Sequence, residues 1–130
     1  MPIIRGPFDV KLTPQTPAPG GPESGLGRMS LDKHYHGALE AAATGEMLTA
    51  MSPGVKGSGC YVAVEQVRGT LDGRHGTFML RHLGTMTRGT PELTIAVVPD
   101  SGTGDLTGLT GSMAIIITEG KHEYELNYEV

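Results

Sequence analysis

The sequence predicts an all-β protein, a single antiparallel eight-stranded up-and-down β-barrel over residues 1–130. Apolar and polar residues alternate along most of the chain, as in half-buried strands. Gly- and Pro-rich segments separate these stretches and mark turns. Hydrophobic residues make up 38% of the chain and charged residues 18%, which is enough apolar surface for one core. Because eight strands in so short a chain must protect their edges, closure into a barrel is expected.

The first half of the chain predicts three strands and one long loop. Residues 7–13 and 26–35 both alternate between an apolar and a polar side. Between them, residues 14–25 are too rich in Pro and Gly for a helix or a strand, and we expect this loop to be the most mobile element. Residues 38–51 contain good helix formers, but Gly45 and two threonines favour a strand.

The second half predicts five more strands. Residues 59–71 are apolar on both faces, which is typical of a strand covered on both sides. The pair Glu119-Gly120 has the composition of a hairpin turn. The remaining predicted strands are 76–87, 93–98, 112–118 and the alternating stretch from the turn to Val130.

Composition excludes several classes of function. The net charge of −4, with no basic run, is the wrong sign for a nucleic-acid binder. The single cysteine, Cys60, excludes internal disulfides and a cysteine zinc site, and we expect it to be a buried apolar residue in a reducing compartment. No segment has the length of a signal-peptide core or a membrane span, so we expect a cytoplasmic protein with no membrane partner.

Polar residues interrupt the apolar faces of several predicted strands. Lys33, Glu65 and His82 each share a face with apolar neighbours, and Tyr61 lies on the same face as Glu65. If these faces line the lumen, the four side chains converge there. Two interpretations stay open: a proton-transfer set with Glu65 or His82 as the base, or an inert internal salt bridge that fixes the register, which we favour. The last strand adds two further lumen candidates, Tyr124 and Tyr128.

The densest glycine cluster follows a predicted strand, over residues 97–111. Its spacing does not fit a dinucleotide-binding motif, and it lacks the lysine of a phosphate-binding loop. We therefore interpret it as a structural turn at one mouth of the barrel and expect no cofactor. The turn glycines are Gly102, Gly104, Gly108 and Gly111.

The pattern His34-x-His36 with Glu40 resembles part of the metal-binding motif of cupins. The rest of that motif is missing, and both histidines lie on the polar face of their strand. A surface histidine pair is therefore the favoured interpretation, and no metal cofactor is expected.

The scarcity of aromatic residues bears on the lumen. The chain has no Trp, two Phe and four Tyr, so small inward-facing residues leave volume that a ligand can occupy. The alternative is that the glycines among them only allow the strands to bend. These small residues are Ala41, Ala43, Gly45, Ala63, Gly69 and Gly84.

Four segments carry a resemblance to a known family: LGRMSLDKHYHGALEAAATGEML, YVAVEQVRGTLDGRHGTFMLRHLGTM, LTIAVVPDSGTGDLTGLTG and KHEYELNY. Together they resemble the bacterial family of proteins of unknown function DUF3224, small barrels similar in fold to allene oxide cyclase and the dirigent proteins. The resemblance implies an allene-oxide-cyclase-like barrel with an apolar lumen. It assigns no catalytic residue to this chain.

Three functions remain as hypotheses. The first is an intracellular barrel that binds an apolar small molecule in its lumen. The second is a cofactor-free cyclase or isomerase that holds a hydrophobic substrate in one conformation, with Glu65 or His82 moving a proton. The third is a structural module with a filled lumen that forms homo-oligomers through its apolar outer face.

Overall fold

The computed structural model describes residues 2–15, 20–21 and 23–130. These residues form one closed antiparallel barrel of eight strands, in which each strand pairs with its chain neighbours and the first pairs with the last. The predicted all-β, eight-stranded, up-and-down barrel is therefore confirmed. Among the described residues, no helix has the length and apolar character needed to cross a membrane.

The observed strands reach further than the sequence pattern indicates. The predicted strands 26–35 and 59–71 have the observed bounds, and the ambiguous segment 38–51 is a strand. The first strand begins earlier than predicted because Ile3 to Pro7 pair with the last strand. The bounds are β1 Ile3–Pro14, β2 Leu26–Tyr35, β3 Leu39–Met51, β4 Gly59–Leu71, β5 Arg74–Thr87, β6 Thr90–Val97, β7 Thr110–Thr118 and β8 Lys121–Glu129, with a short 3-10 helix at Gly104–Leu106.

The alternating strand directions give the barrel two different ends. At one end, the connection between β6 and β7 folds over the lumen and buries Leu106 and Leu109 in the core. We call this the closed end. The other end, where β3 finishes at Met51 and β4 begins at Gly59, is called the open end.

The turns at Asp72-Gly73, Arg88-Gly89 and Glu119-Gly120 each have positive φ at both residues, as tight two-residue hairpins require. The predicted turn at Glu119-Gly120 is thus confirmed.

The core fills the closed half of the barrel. Large side chains from β2, β3, β5 and β8 are completely buried there, among them Tyr35, Leu39, Phe78 and Tyr124. Inward-facing residues toward the open end are more exposed: Val10 and Leu12 of β1 share the parity of buried Phe8 but are partly solvated. The lumen is therefore filled at one end and accessible at the other.

Except for Gly84, which lines a cavity at the open end, the small inward-facing residues do not border the free volume that the sequence predicts. Ala41, Ala43 and Ala63 are buried in the packed interior. A Cβ atom at Gly45 would lie 2.8 Å from the Cα of Glu65, and one at Gly84 would lie 2.8 Å from Cδ1 of Tyr61. These glycines are needed because neighbouring atoms already occupy the space of a side chain.

The prediction that Cys60 is buried is wrong. Its side chain is exposed, because Cys60 takes the outward position beside the inward-facing Tyr61 on β4. The sequence also predicts that β4 is covered on both faces. In the single chain only its inner face is covered, because the outward residues Val62 and Val64 are exposed as well.

The predicted mobile loop at 14–25 is only partly covered, since residues 16–19 and 22 lie outside the described residues. Pro14 is the last residue of β1, and the backbone N–H of Gln15 donates to the carbonyl of Arg28 at 2.8 Å.

Candidate functional site

A buried polar cluster lies at mid-height in the barrel and centres on Glu65. Lys33 Nζ donates to Glu65 Oε2 at 3.0 Å, and His82 Nε2 lies 2.6 Å from the same oxygen. The hydroxyl of Tyr35 donates to Oε1 and is contacted in turn by Lys33 Nζ at 3.4 Å. The Lys33 and Glu65 side chains are 5% and 0% exposed, so the ion pair is shielded from water.

Strand register brings these side chains together across a strand of small residues. Lys33 on β2 pairs with Ala43 on β3, and Glu65 on β4 pairs with Gly45. Because Ala43 and Gly45 carry little or no side chain, the Lys33 and Glu65 side chains meet inside the barrel above β3. His82 reaches the same carboxylate from β5, where it pairs with Ala63 of β4.

The electrostatics of the cluster favour an ionised Glu65. Burial by itself would raise the pKa of this carboxyl, but the His82 hydrogen bond, the Lys33 ammonium and the Tyr35 hydroxyl together lower it below its ordinary value. Burial, followed by the neighbouring carboxylate, raises the pKa of Tyr35, which therefore stays protonated as a donor. The Lys33 ammonium also lies 5.3 Å from the ring centroid of Phe8, within cation–π range.

The cluster has the properties of a structural pair rather than of a general base. Glu65 is fully enclosed and accepts hydrogen bonds from Tyr35, Lys33 and His82. A general base must come within hydrogen-bond reach of its substrate, directly or through one water. The enclosed carboxylate offers no such approach, so the arrangement supports the interpretation of an internal salt bridge that fixes the register.

A cavity of about 320 Å³ lies at the open end. Its walls are almost entirely apolar and come mainly from inward-facing positions of β3, β4, β5 and β6. The residues that line it are Thr49, Met51, Gly57, Gly59, Cys60, Tyr61, Gly84, Thr85, Met86, Pro91, Glu92 and Leu93.

Tyr61 lies in the wall of the cavity, close enough to the polar cluster to feel the charge of Glu65. Its ring lies against Gly84 on the neighbouring strand, where a side chain would collide with it. Partial burial, and then the charge of Glu65, raise the pKa of Tyr61. The hydroxyl is therefore protonated at neutral pH and can donate a hydrogen bond. Tyr61 thus lines the cavity, separate from the hydrogen-bonded set of Lys33, Glu65 and His82.

The other two tyrosine candidates lie at the closed end. Tyr124 donates to the carbonyl of His36 at 2.8 Å and accepts from the backbone N–H of Leu39 at 3.2 Å. Tyr128 donates to the carboxylate of Asp72 in the β4–β5 turn. Both hydroxyls bond to strand connections, so they hold the closed end together and do not face the cavity.

The glycine-rich segment also lies at the closed end, opposite the cavity. Gly102 and Gly111 are in close contact with other backbone: added Cβ atoms would lie 2.9 Å from the carbonyl carbon of Leu106 and 3.0 Å from the Cα of Tyr128. Gly104 and Gly108 have positive φ. The Thr103 N–H donates to the carbonyl of Thr77 at 2.8 Å, which joins the segment to β5.

The candidates His34, His36 and Glu40 lie together on the outer wall near the closed end. All three are at least partly exposed, and none of them faces the lumen.

The outer wall carries an apolar surface as well. Leu48, Val62 and Leu83 are directly opposite one another on β3, β4 and β5, and each is about half exposed. With Val64 they line a groove bordered by Arg28, Glu46 and Arg81. We call this surface the β3–β5 outer face.

Sequence reasoning missed two features of the interior. Tyr35 belongs to the polar cluster but was not among the predicted lumen residues, although its position two residues after Lys33 places it on the same face of β2. The sequence also did not indicate which residues line the cavity, because alternation does not tell which end of a barrel is open. These residues include Thr49, Met51, Met86 and Leu93.

The family model for proteins of unknown function, DUF3224, matches residues 4–128 of the chain. The chain belongs to the DUF3224 family. A crystal structure of a DUF3224 protein of unknown function from Shewanella oneidensis MR-1 is similar to this DUF3224 barrel, with a TM-score of 0.91 and 53% sequence identity. The similarity covers 99% of this chain and 97% of that one. No curated protein matches the sequence.

Proposed function

We propose that this DUF3224 protein binds an apolar small molecule in the cavity at its open end. The observation that carries the proposal is the cavity itself, whose apolar walls come from inward-facing side chains beside one protonated tyrosine. Small-molecule sites are typically concave and mostly apolar, with few polar groups that fix orientation. We infer that the Tyr61 hydroxyl is this group and that the ligand carries one hydrogen-bond acceptor.

The filled half of the barrel limits the size of the ligand. The volume of about 320 Å³ lies near the lower end of the roughly 300–1,000 Å³ that small-molecule sites occupy. Beyond the cavity, the Lys33–Glu65 pair and the buried aromatic residues fill the lumen. A compact ligand fits, whereas a long one would extend out of the open end.

Two matched variants test this site with an apolar fluorescent probe. Leu93→Trp places a larger side chain in the cavity wall, whereas Thr94→Trp makes the same change on the exposed outer side of β6. We expect Leu93→Trp to weaken probe binding about tenfold, since losing roughly 60 Å² of contact costs about 1.5 kcal/mol. Equal affinity of the two variants would contradict the proposed site.

The alternative to a binding protein is an enzyme, a cofactor-free cyclase or isomerase. It is supported by the likeness in fold to allene oxide cyclase that the sequence motifs imply. Because Glu65 and His82 are both enclosed and bonded to each other, a cyclase or isomerase in this cavity would depend on the Tyr61 hydroxyl as the donor to its substrate. Tyr61→Phe separates the two functions. A binding protein would keep its affinity for a wholly apolar ligand, whereas an enzyme would lose turnover while still binding its substrate.

Self-association through the β3–β5 outer face is a second candidate function, favoured by the apolar stripe of Leu48, Val62 and Leu83. Glu46, which pairs with Arg28, and Arg81 flank Val64 from opposite sides, so a two-fold axis parallel to β4 through Val64 would place Glu46 of one copy opposite Arg81 of the other. Sedimentation velocity tests this inference. We expect a dimer for the wild type and for Ile117→Glu on the far wall, and a monomer for Val62→Glu. A monomeric wild type would contradict it.

A further inference from the structure

Two histidine side chains on the outer wall converge on one carboxylate oxygen. His34 Nε2 lies 3.0 Å from Glu40 Oε2, and His36 Nδ1 lies 3.3 Å from the same oxygen. The two imidazole rings stack with their centroids 4.5 Å apart. All three potential ligand atoms lie within 4.8 Å of one another.

The two separations that involve Glu40 are close to those in the first coordination sphere of a tetrahedral metal ion. With metal–ligand bonds of about 2.0–2.2 Å, neighbouring ligand atoms of a tetrahedron are about 3.3–3.6 Å apart. The two separations involving Glu40 are within a few tenths of an ångström of that range. Two imidazoles and one carboxylate form a ligand set typical of Zn²⁺ sites that keep an open position.

Partners behind the ligands orient two of them toward the same point. The other ring nitrogen of His36, Nε2, lies 3.1 Å from Asp9 Oδ2, which is the carboxylate–histidine arrangement found behind metal ligands. The backbone N–H of Gly37 donates to Glu40 Oε1 at 3.3 Å, which leaves Oε2 directed at the imidazoles.

The position of His36 between two carboxylates also fits a bound cation. A neutral imidazole has one N–H, yet His36 presents a nitrogen to each of two carboxylates, Asp9 and Glu40. With the N–H directed at Asp9, the lone pair of Nδ1 would face Glu40 Oε2. A positive charge shared by these two atoms, either a proton or a metal ion, removes that repulsion.

We propose that His34, His36 and Glu40 bind a divalent transition-metal ion of the Zn²⁺ type on the outer wall near the closed end. Asp9 acts as a positioning residue through His36. The site is independent of the ligand cavity, because the two lie at opposite ends of the barrel. Three protein ligands leave a fourth position for water or another molecule.

Metal titration of the full, tag-free chain tests the proposal. After treatment with a chelator, Zn²⁺ is titrated calorimetrically, and Co²⁺ is added separately to follow the visible absorption of a tetrahedral site. We expect one equivalent of Zn²⁺ to bind. We expect His34→Ala and Glu40→Gln to weaken binding by at least about tenfold, and Asp9→Asn to weaken it about tenfold or more.

His75→Ala is the matched control, because His75 is exposed and belongs to no such cluster among the described residues. It should bind Zn²⁺ as the wild type does. The proposal is overturned if the wild type binds no Zn²⁺, or if His34→Ala and Glu40→Gln bind as tightly as His75→Ala. Since His34 and Glu40 are exposed, unchanged thermal unfolding of their variants would show that lost binding does not reflect lost folding.

Discussion

Glu65 accepts hydrogen bonds from side chains on two other strands, and one of those donors is the buried ammonium of Lys33. Replacing Glu65 with Gln keeps the shape but leaves Lys33 without its counter-charge. Removal of one member of a buried ion pair typically costs about 3–5 kcal/mol. We therefore expect Glu65→Gln to lower the free energy of unfolding in urea by that amount.

A double variant is the control for this prediction. Lys33→Met combined with Glu65→Gln removes both charges, so most of the lost stability should return. A Glu65→Gln protein as stable as the wild type would show that the ion pair does not hold the interior together. Because the single variant affects folding, it is unsuitable by itself as a test of catalysis.

The pKa of Glu65 predicts how stability depends on pH. This pKa is lower in the folded protein, so the contribution of Glu65 is complete above the ordinary value of about 4.3 and is lost as the pH falls through the folded value. The free energy of unfolding should therefore decrease below about pH 4, by at most about 1.4 kcal/mol per pH unit from this group.

Urea unfolding at several pH values between 2 and 6 measures the effect. The Lys33→Met, Glu65→Gln double variant should show a shallower decrease than the wild type, since it lacks the titrating carboxyl. Identical pH dependence in the two proteins would assign the acid sensitivity to other groups.

Individual residues were predictable from the sequence where alternation decides them. Lys33, Glu65 and His82 occur on apolar faces, and strand register does bring them together. Cys60 was not predictable, because residue type favours burial whereas the parity of β4 places it outside. Tyr61 shares a face with Glu65 but lies closer to the open end, and alternation carries no information about height along the barrel.

At the scale of elements, the three tight turns place non-glycine residues at positive φ. Glu119 has φ of 51° in the β7–β8 hairpin, a conformation that Asn adopts more readily than Glu. We expect Glu119→Asn to stabilise the protein by about 0.5–1 kcal/mol. Thermal unfolding measures the change, with Glu119→Gln as the control that removes the same charge without the turn preference. Equal melting temperatures for the two variants would contradict the explanation.

The β7–β8 turn was predictable because Gly120 follows Glu119 between two alternating stretches, whereas the strand bounds were less predictable. β6 begins at Thr90, three residues before its apolar stretch, because pairing with β5 extends it. The β6–β7 connection was recognised as a turn, but not as the element that buries Leu106 and Leu109 under the closed end. The burial of these two residues depends on contacts between distant parts of the chain, and the local sequence pattern does not predict such contacts.

At the scale of the whole molecule, the barrel is closed by ladders of unequal length. β6 and β7 pair at Ile95–Met113 and Ala96–Ser112, whereas β3 and β4 pair from Leu39–Leu71 to Met51–Gly59. Residues 114–118 of β7 pair with β8 but not with β6, whereas residues 61–68 of β4 pair with strands on both sides. Segments held by fewer ladder hydrogen bonds open locally at lower free energy. We expect amides of residues 114–118 to exchange with deuterium faster than those of residues 61–68, as measured by mass spectrometry. Uniform protection around the barrel would contradict this prediction.

The closed barrel itself was predictable, because eight alternating segments separated by turn residues leave few ways to protect the sheet edges. The division of the barrel into a filled end and an accessible end was not. It depends on how far each strand extends and on where bulky residues meet, and both follow from register and closure.

The central claim, that the open end binds an apolar molecule inside the barrel, is tested most directly by NMR of the methionine methyl groups. Met51 and Met86 line the cavity, whereas Met79 is exposed on the outside of β5. Titration with a compact apolar ligand that carries one hydrogen-bond acceptor should shift the Met51 and Met86 signals and leave that of Met79 unchanged. Shifts confined to Met79, or no shifts at saturating ligand, would contradict binding in the lumen.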